Sequence, residues 1–170
     1  MAAVGQEGFR RLAARVREDG VEGLPALETL RETLLAYMRF SVEEKDFFRL
    51  MIANLLKRPL RADETEELKP FPFSSPEALA SFSELVAVVK RCQTEGSLGP
   101  GDSLFIANLL HAFVHGVARL AIDDHLKIAC PEDEFFRQGL DAVLRGLGAA
   151  SAGSRHWKLR TTPGAARQPR

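Results

Sequence analysis

Apolar residues recur at intervals of three and four positions along almost the whole chain, the spacing that places them on one face of an α-helix. No run alternates between apolar and polar residues for long enough to indicate a β-strand. Glycine, proline and acidic residues in first helical turns divide the pattern into segments. The sequence therefore predicts an all-α fold of about six helices, at about residues 2–18, 25–42, 43–57, 75–94, 102–124 and 131 to 146–148.

The start of the third helix is expected near Ser41, because Glu43 and Glu44 would then lie in its first turn, where acidic side chains favour the helix dipole. A long proline-rich stretch with an acidic run follows that helix. It is either a solvated connector or a functional loop, since connections of this length are uncommon in compact domains. The pattern predicts one domain over residues 1–148 and a basic, disordered tail over residues 149–170.

The predicted fifth helix is apolar on nearly every side and leaves only a narrow polar strip. Such a helix must be covered from several directions, and five companions in a small domain would leave one side open to solvent. A second chain is the simplest cover. Gly116 favours this interpretation, because a glycine inside a helix costs about 1 kcal/mol relative to alanine and is best explained by the close approach of another helix.

The polar strip of the fifth helix consists of Asn108, His111, His115 and Arg119. One interpretation is the wall of a small-molecule pocket, because such pockets are mostly apolar with a few placed polar groups. A second is that each side chain satisfies a neighbouring backbone group or carboxylate. A metal held by the two histidines is a third, but no nearby Glu or Cys completes a ligand set, so we expect no metal. The predicted pocket residues are Tyr37, Phe40, Phe47, Phe48, Met51, Phe82, Asn108, His111 and His115.

The charge distribution argues against a nucleic-acid-binding body. The chain carries 23 basic and 23 acidic residues, and residues 151–170 hold five of the basic ones and no acid, which leaves 18 basic against 23 acidic residues elsewhere. A body of net negative charge repels phosphate. We therefore expect no specific DNA binding by this chain.

Motifs of catalysis, secretion and membrane insertion are not found in the sequence. It contains no Gly-x-Ser-x-Gly elbow, P-loop or glycine-rich dinucleotide turn, so we expect neither an enzyme nor a cofactor. Cys92 and Cys130 lack the paired spacing of zinc ligands, and a reducing cytoplasm is the expected location. The charged N-terminus is unlike a signal peptide, and no stretch approaches the roughly 20 uninterrupted apolar residues of a membrane span.

Two parts of the chain carry motifs that occur together in one protein family. The first is the stretch from Arg91 to Asp124, which joins a helix end, a turn and an apolar helix. This stretch contains the helix end Gln93–Gly96 and a turn formed by Leu98 and Pro100-Gly101-Asp102. The run Ala112-Phe113-Val114-His115-Gly116 follows in the apolar helix, with Leu120 and Asp123 after it. The second lies upstream and consists of Ala36-Tyr37-Met38-Arg39-Phe40 and Asp46-Phe47-Phe48-Arg49-Leu50-Met51.

In this order, these motifs resemble the regulatory domain of TetR-type transcriptional repressors. More narrowly, they resemble the subgroup whose eighth helix carries a Trp, a short apolar spacer and then Val-His-Gly. His111 occupies the position of that Trp, so any role of the indole is lost here. The resemblance covers roughly residues 1–148.

The resemblance implies a bacterial, cytoplasmic regulator in which an apolar or amphipathic effector fills a helical pocket and shifts the first helix. The helix-turn-helix of such proteins would precede Met1, so we expect this chain to contain the ligand-binding domain without the DNA-binding domain. An alternative is a headless sensor that modulates a full-length regulator by heterodimerisation. In a homodimer, the last two helices would pack against the same two helices of the second copy. The expected interface residues are Phe105, Ala112, Gly116, Leu120, Leu140, Val143, Leu144 and Leu147.

Overall fold

A computed structural model gives the fold, and it describes residues 2–18, 23–55 and 76–149. Six α-helices and no strand occur in these ranges: α1 (Ala2–Glu18), α2 (Ala26–Glu43), α3 (Lys45–Leu55), α4 (Pro76–Thr94), α5 (Ser103–Ile122) and α6 (Glu132–Gly146). The all-α prediction is confirmed, with each helix end within two residues of the expected position. The predicted connector before α4 and, apart from Ala149, the predicted tail lie outside the described residues.

The boundary between α2 and α3 differs from the expected one. α2 continues through Glu43 and α3 begins at Lys45, so Ser41 does not cap α3. The Ser41 hydroxyl is buried and donates to the Met38 carbonyl of its own helix, 2.6 Å away. Serine buried in mid-helix commonly satisfies its hydroxyl in this way. Sequence spacing alone does not distinguish that arrangement from a cap.

The helices pack around two adjoining groups of buried apolar residues. The larger core joins α2, α4, α5 and α6, and contains Leu30, Leu110 and Leu140. The smaller core joins α1 and α3 to α2 and α5, and is made of Leu12, Phe40, Phe48, Met51, Ala118 and Ile122. Tyr37 packs against both cores. It therefore lies at the junction through which a change in one core would reach the other.

The turn between α4 and α5 is fixed by residues of the sequence motif. The Gln93 amide donates to the carbonyls of Gly99 and Gly101, at 3.2 and 3.0 Å. Asp102 caps α5 by accepting a hydrogen bond of 2.8 Å from the Leu104 backbone N–H. Satisfying the first N–H groups of a helix in this way stabilises its start by about 1 kcal/mol. The motif thus has a structural role, which is to position α5.

α5 has the length and composition of a membrane span, with a mean hydropathy of 1.5. In this fold, however, it is the central helix of the bundle and packs against α2, α4 and α6. Its composition is weak support for a membrane location, because the core helix of a globular protein is equally apolar.

Candidate ligand-binding site

Five of the predicted pocket side chains come together where α2, α3, α4 and α5 meet. The Tyr37 and Phe48 rings lie edge to face, with centroids 5.4 Å apart. The His115 ring is 5.9 Å from Phe48, and the His111 ring is 5.8 Å from Phe82. The two imidazoles are 5.6 Å apart on successive turns of α5. We call these five residues the aromatic cluster.

A hydrogen bond joins the Tyr37 and His115 side chains within the cluster. The Tyr37 hydroxyl and His115 Nδ1 are 2.9 Å apart, and either atom donates according to the tautomer of the imidazole. Burial raises the pKa of Tyr37 well above its ordinary value, so the phenol stays neutral. This hydrogen bond ties α2 to α5 at the junction of the two cores.

Both imidazoles of the cluster are held in the neutral form at pH 7. Burial lowers the pKa of His111 to about 4, with a smaller contribution from the nearby His115. Burial also lowers the pKa of His115, and the positive charge of Arg119 adds to that effect. A neutral imidazole offers one N–H donor and one acceptor nitrogen. The cluster therefore presents hydrogen-bonding groups without net charge.

Three ring nitrogens of the cluster have no hydrogen-bond partner in the described part of the chain. They are both nitrogens of His111 and Nε2 of His115. These nitrogens are half-buried rather than sealed from solvent, and they offer donors and acceptors to the polar group of a bound molecule.

The other residues of the predicted pocket have different surroundings. Phe40 and Met51 are buried in the smaller core beside Phe48, behind the cluster. Phe47 faces α1 instead, where the Arg11 guanidinium lies 4.2 Å from its ring centroid. Phe47 therefore lies outside the aromatic cluster, because adjacent helical residues point in directions about 100° apart. Its place in the pocket stays a prediction.

The remaining members of the polar strip satisfy neighbouring groups. The Asn108 amide donates to the Leu104 carbonyl of its own helix, at 2.9 Å, and Arg119 pairs with Asp123, at 2.7 Å. Of the interpretations open from the sequence, neighbouring partners account for these two residues, and for one nitrogen of His115. Asn108 is accordingly a helix-bonding residue rather than a member of the aromatic cluster.

The two histidines do not form part of a larger ligand set. Within residues 2–18, 23–55 and 76–149, no group of three or more His, Cys, Asp or Glu side chains is placed to hold a metal ion. In addition, His115 Nδ1 already contacts Tyr37.

The outer face of α5 is apolar and exposed in the single chain. Phe105, Leu109 and Leu120 are 65%, 43% and 45% exposed, and the small residues Ala112 and Gly116 lie between them on the same face. A side chain built at Gly116 would meet no described atom within 4 Å. We call these five residues the apolar stripe. Sequence reasoning missed Leu109, although its spacing of four from Phe105 places it on this face.

The expected interface residues of α6 fall into two groups. Val143 and Leu147 are half-buried and keep some surface. Leu140 and Leu144 are 0% and 1% exposed and belong to the larger core of the chain itself. Their prediction as interface residues is corrected, because side chains that are fully covered within one protomer offer no surface to a second.

An open cleft of about 520 Å³ lies elsewhere, at the turn between α4 and α5. It is lined mostly by glycines, and its polar side chain, Gln93, is already bonded to the backbone of the turn. Without a charged or unsatisfied side chain, this cleft has less to offer a ligand than the aromatic cluster.

The described part of the chain is thus a helical bundle with an aromatic and polar junction inside and an apolar stripe outside. The sequence matches the family described as "Tetracyclin repressor-like, C-terminal domain" over residues 30–143, which include most of α2 to α6. The chain belongs to this family. Its regulatory domains are normally soluble, cytoplasmic and non-enzymatic, and they typically dimerise and bind small-molecule effectors.

A solved structure of a protein with unknown function from Rhodococcus sp. RHA1 is similar to this chain. The two share 27% sequence identity with a TM-score of 0.70, over 86% of this chain and 70% of the other. No curated protein matches the sequence. The family and the fold are thus shown, whereas the narrower likeness to the Val-His-Gly subgroup stays a prediction.

Proposed function

We propose that this chain is the small-molecule-sensing and dimerisation domain of a cytoplasmic TetR-like transcriptional regulator. The observation that carries the proposal is the hydrogen bond of 2.9 Å between Tyr37 and His115 within aromatic walls. A few placed polar groups in apolar surroundings are the usual composition of a small-molecule site.

The position of the aromatic cluster supports a signalling role. Phe48 belongs both to the cluster and to the smaller core, which also holds Leu12 of α1. α1 packs closely on α3, since a side chain at Gly8 would overlap the Met51 sulfur. A ligand that displaces Phe48 would therefore shift α3 and, through it, α1.

The apolar stripe supports dimerisation. Exposed apolar residues that are contiguous along a helix are rare on monomers and mark interaction surfaces. The small residues Ala112 and Gly116 let a second helix approach closely. A homodimer that covers the stripe and the exposed parts of α6 should bury roughly 2,000 Å² or more. In the alternative, a sensor without a DNA-binding domain, the partner would be a full-length relative with a similar apolar stripe.

Thermal-shift screening with hydrophobic and amphipathic metabolites tests the sensing role. We expect stabilisers whose ranking changes in Phe82→Leu, because this ring is part of the cluster. The matched control is Leu79→Ala, which alters an exposed residue of the same helix. Absence of any stabiliser, or identical rankings in both variants, would contradict the proposal.

A further inference from the structure

We propose that the molecule bound at the aromatic cluster is uncharged and places a hydroxyl or carbonyl oxygen against His111 and His115. This inference rests on the proposed sensing function and specifies the chemical class of its ligand. Such a molecule would be an alcohol, a phenol or a ketone with an apolar body, rather than a carboxylate, a phosphate or an amine.

The geometry of the two imidazoles suits one small polar group. They lie on successive turns of α5 with ring centroids 5.6 Å apart, so their unpartnered nitrogens can reach the same region. A hydroxyl both donates and accepts, which matches the acceptor nitrogen of one neutral imidazole and the N–H of another. Phe48, Phe82 and the Tyr37 ring surround this region and would contact the apolar body of the ligand.

No free cation balances an anion at the cluster within the described residues. Arg119, the charged group that acts on His115, is half exposed and paired with Asp123 at 2.7 Å. Arg49 of α3 donates to the Ile122 carbonyl at 2.6 Å. Arg39 of α2 pairs with Asp133 and Arg91 of α4 donates to the Leu24 carbonyl. Lys45 of α3 and Lys90 of α4 are exposed at the surface.

Binding of an anionic ligand would consequently be coupled to the uptake of a proton. Burying a carboxylate without a countercharge is strongly unfavourable. Burial lowers the pKa of His111 to about 4, so this ring does not supply positive charge at neutral pH. An anion that binds would take up about one proton, and its affinity would rise by up to about tenfold for each pH unit of acidification.

Matched probes that differ in this one property test the inference. Two pairs are used, 1-naphthol with 1-naphthoate and decan-1-ol with decanoate, and binding to the whole chain is measured by calorimetry between pH 6 and pH 8. We expect the alcohol of at least one pair to bind about tenfold or more tightly than its carboxylate at pH 7.5, with no pH dependence of its own. The carboxylate should tighten as the pH falls.

Variants of His111 establish where the probe binds. His111→Phe keeps an aromatic ring but removes the hydrogen bond, and should weaken alcohol binding by up to about tenfold. His111→Gln restores a donor and an acceptor and should recover part of that loss. His125→Phe, the same change at an exposed histidine after α5, should leave binding unchanged.

Each outcome bears on one claim. If neither alcohol binds more tightly than its carboxylate at pH 7.5, the ligand class is overturned and the sensing role stays in place. Alcohol binding that is unaffected by His111→Phe also overturns the ligand class, because the site would lie elsewhere. If neither pair binds while other compounds stabilise the chain in the thermal-shift screen, the inference fails alone. If nothing binds or stabilises, the proposed function fails with it.

Discussion

The inner face of α5 is mostly apolar but includes two half-buried histidines, whereas its outer face exposes large apolar side chains. The inner face carries His111 and His115, two polar rings in the interior of the bundle. The outer face carries Phe105, Leu109 and Leu120, which are exposed in the single chain. A helix selected only for the stability of a soluble monomer would direct its apolar residues inward and its polar residues outward.

We interpret this difference as a requirement on each face beyond folding. The half-buried His111 and His115 rings keep nitrogens that are available to a bound molecule. Large apolar groups on the surface favour association, so their presence indicates a partner. The inner face is therefore interpreted as the ligand contact and the outer face as the protein contact.

The largest effect is expected from truncating the ring that connects the inner face with α3. Phe48→Ala should lower the free energy of unfolding by about 3–5 kcal/mol, because this ring is buried and its loss leaves a cavity. Phe47→Ala, one residue away, should cost only about 1 kcal/mol, since that ring is half-buried and mainly stacks with Arg11. Urea unfolding at fixed protein concentration measures both. Equal losses would show that the placement of the two rings is wrong.

Charge on the outer face should affect association more than folding. Leu109→Glu should raise the dissociation constant of the dimer by about 100-fold, or about 2.7 kcal/mol, because it buries a carboxylate in an apolar interface. Leu79→Glu changes an exposed leucine of α4 and should leave the constant unchanged. Sedimentation velocity over a dilution series compares the two. Equal behaviour of these variants would remove the apolar stripe as the interface.

Acid should destabilise the fold through the inner face. The pKa of His111 is lowered from 6.5 to about 4 in the folded chain, so between these values the unfolded state binds more protons. Stability is therefore complete above about pH 6.5 and falls as the pH decreases towards about 4, by about 2 kcal/mol for this residue. His111→Phe should flatten that part of the unfolding profile, and His125→Phe should not. A profile that keeps its slope in His111→Phe would contradict the assignment.

The smallest effect is expected from removing one hydroxyl. Tyr37→Phe deletes the partner of His115 Nδ1 and should cost about 1 kcal/mol of unfolding free energy, the net value of a typical hydrogen bond. The dissociation constant of the dimer should not change, because Tyr37 lies on the inner side of α5. Paired unfolding and sedimentation measurements check both statements. A change in association without a change in stability would reverse the roles of the two faces.

The helices could be predicted from the sequence because the three- and four-residue spacing of apolar positions is a local property. The start of α3 could not, since Ser41 has the same spacing whether it caps a helix or is buried within one. The sequence also did not show which residues of α6 face the core. Leu140, Val143, Leu144 and Leu147 form one stripe in the sequence, and only packing against α2 and α5 separates the buried pair from the half-buried pair.

Much of the candidate site was also visible in the sequence. Tyr37, Phe48, Phe82 and the two histidines were predicted, because aromatic residues near a polar strip are typical of a pocket. Phe47 and Asn108 could not be distinguished from the residues of the aromatic cluster without the fold. The choice between Phe47 and Phe48 depends on a rotation of α3 that its neighbours determine, and Asn108 is satisfied by its own helix. The exposed fraction of Leu109 likewise depends on where α6 lies.

The central proposal is that the apolar stripe of α5 is covered by a second copy of the chain while the face with His111 and His115 stays inside each copy. Sedimentation equilibrium of the unmodified chain, whose mass is 18.8 kDa, tests this most directly. We predict a species of twice that mass at micromolar concentration. A stable, folded monomer across this concentration range would contradict the claim, because the apolar stripe would then face solvent without a partner.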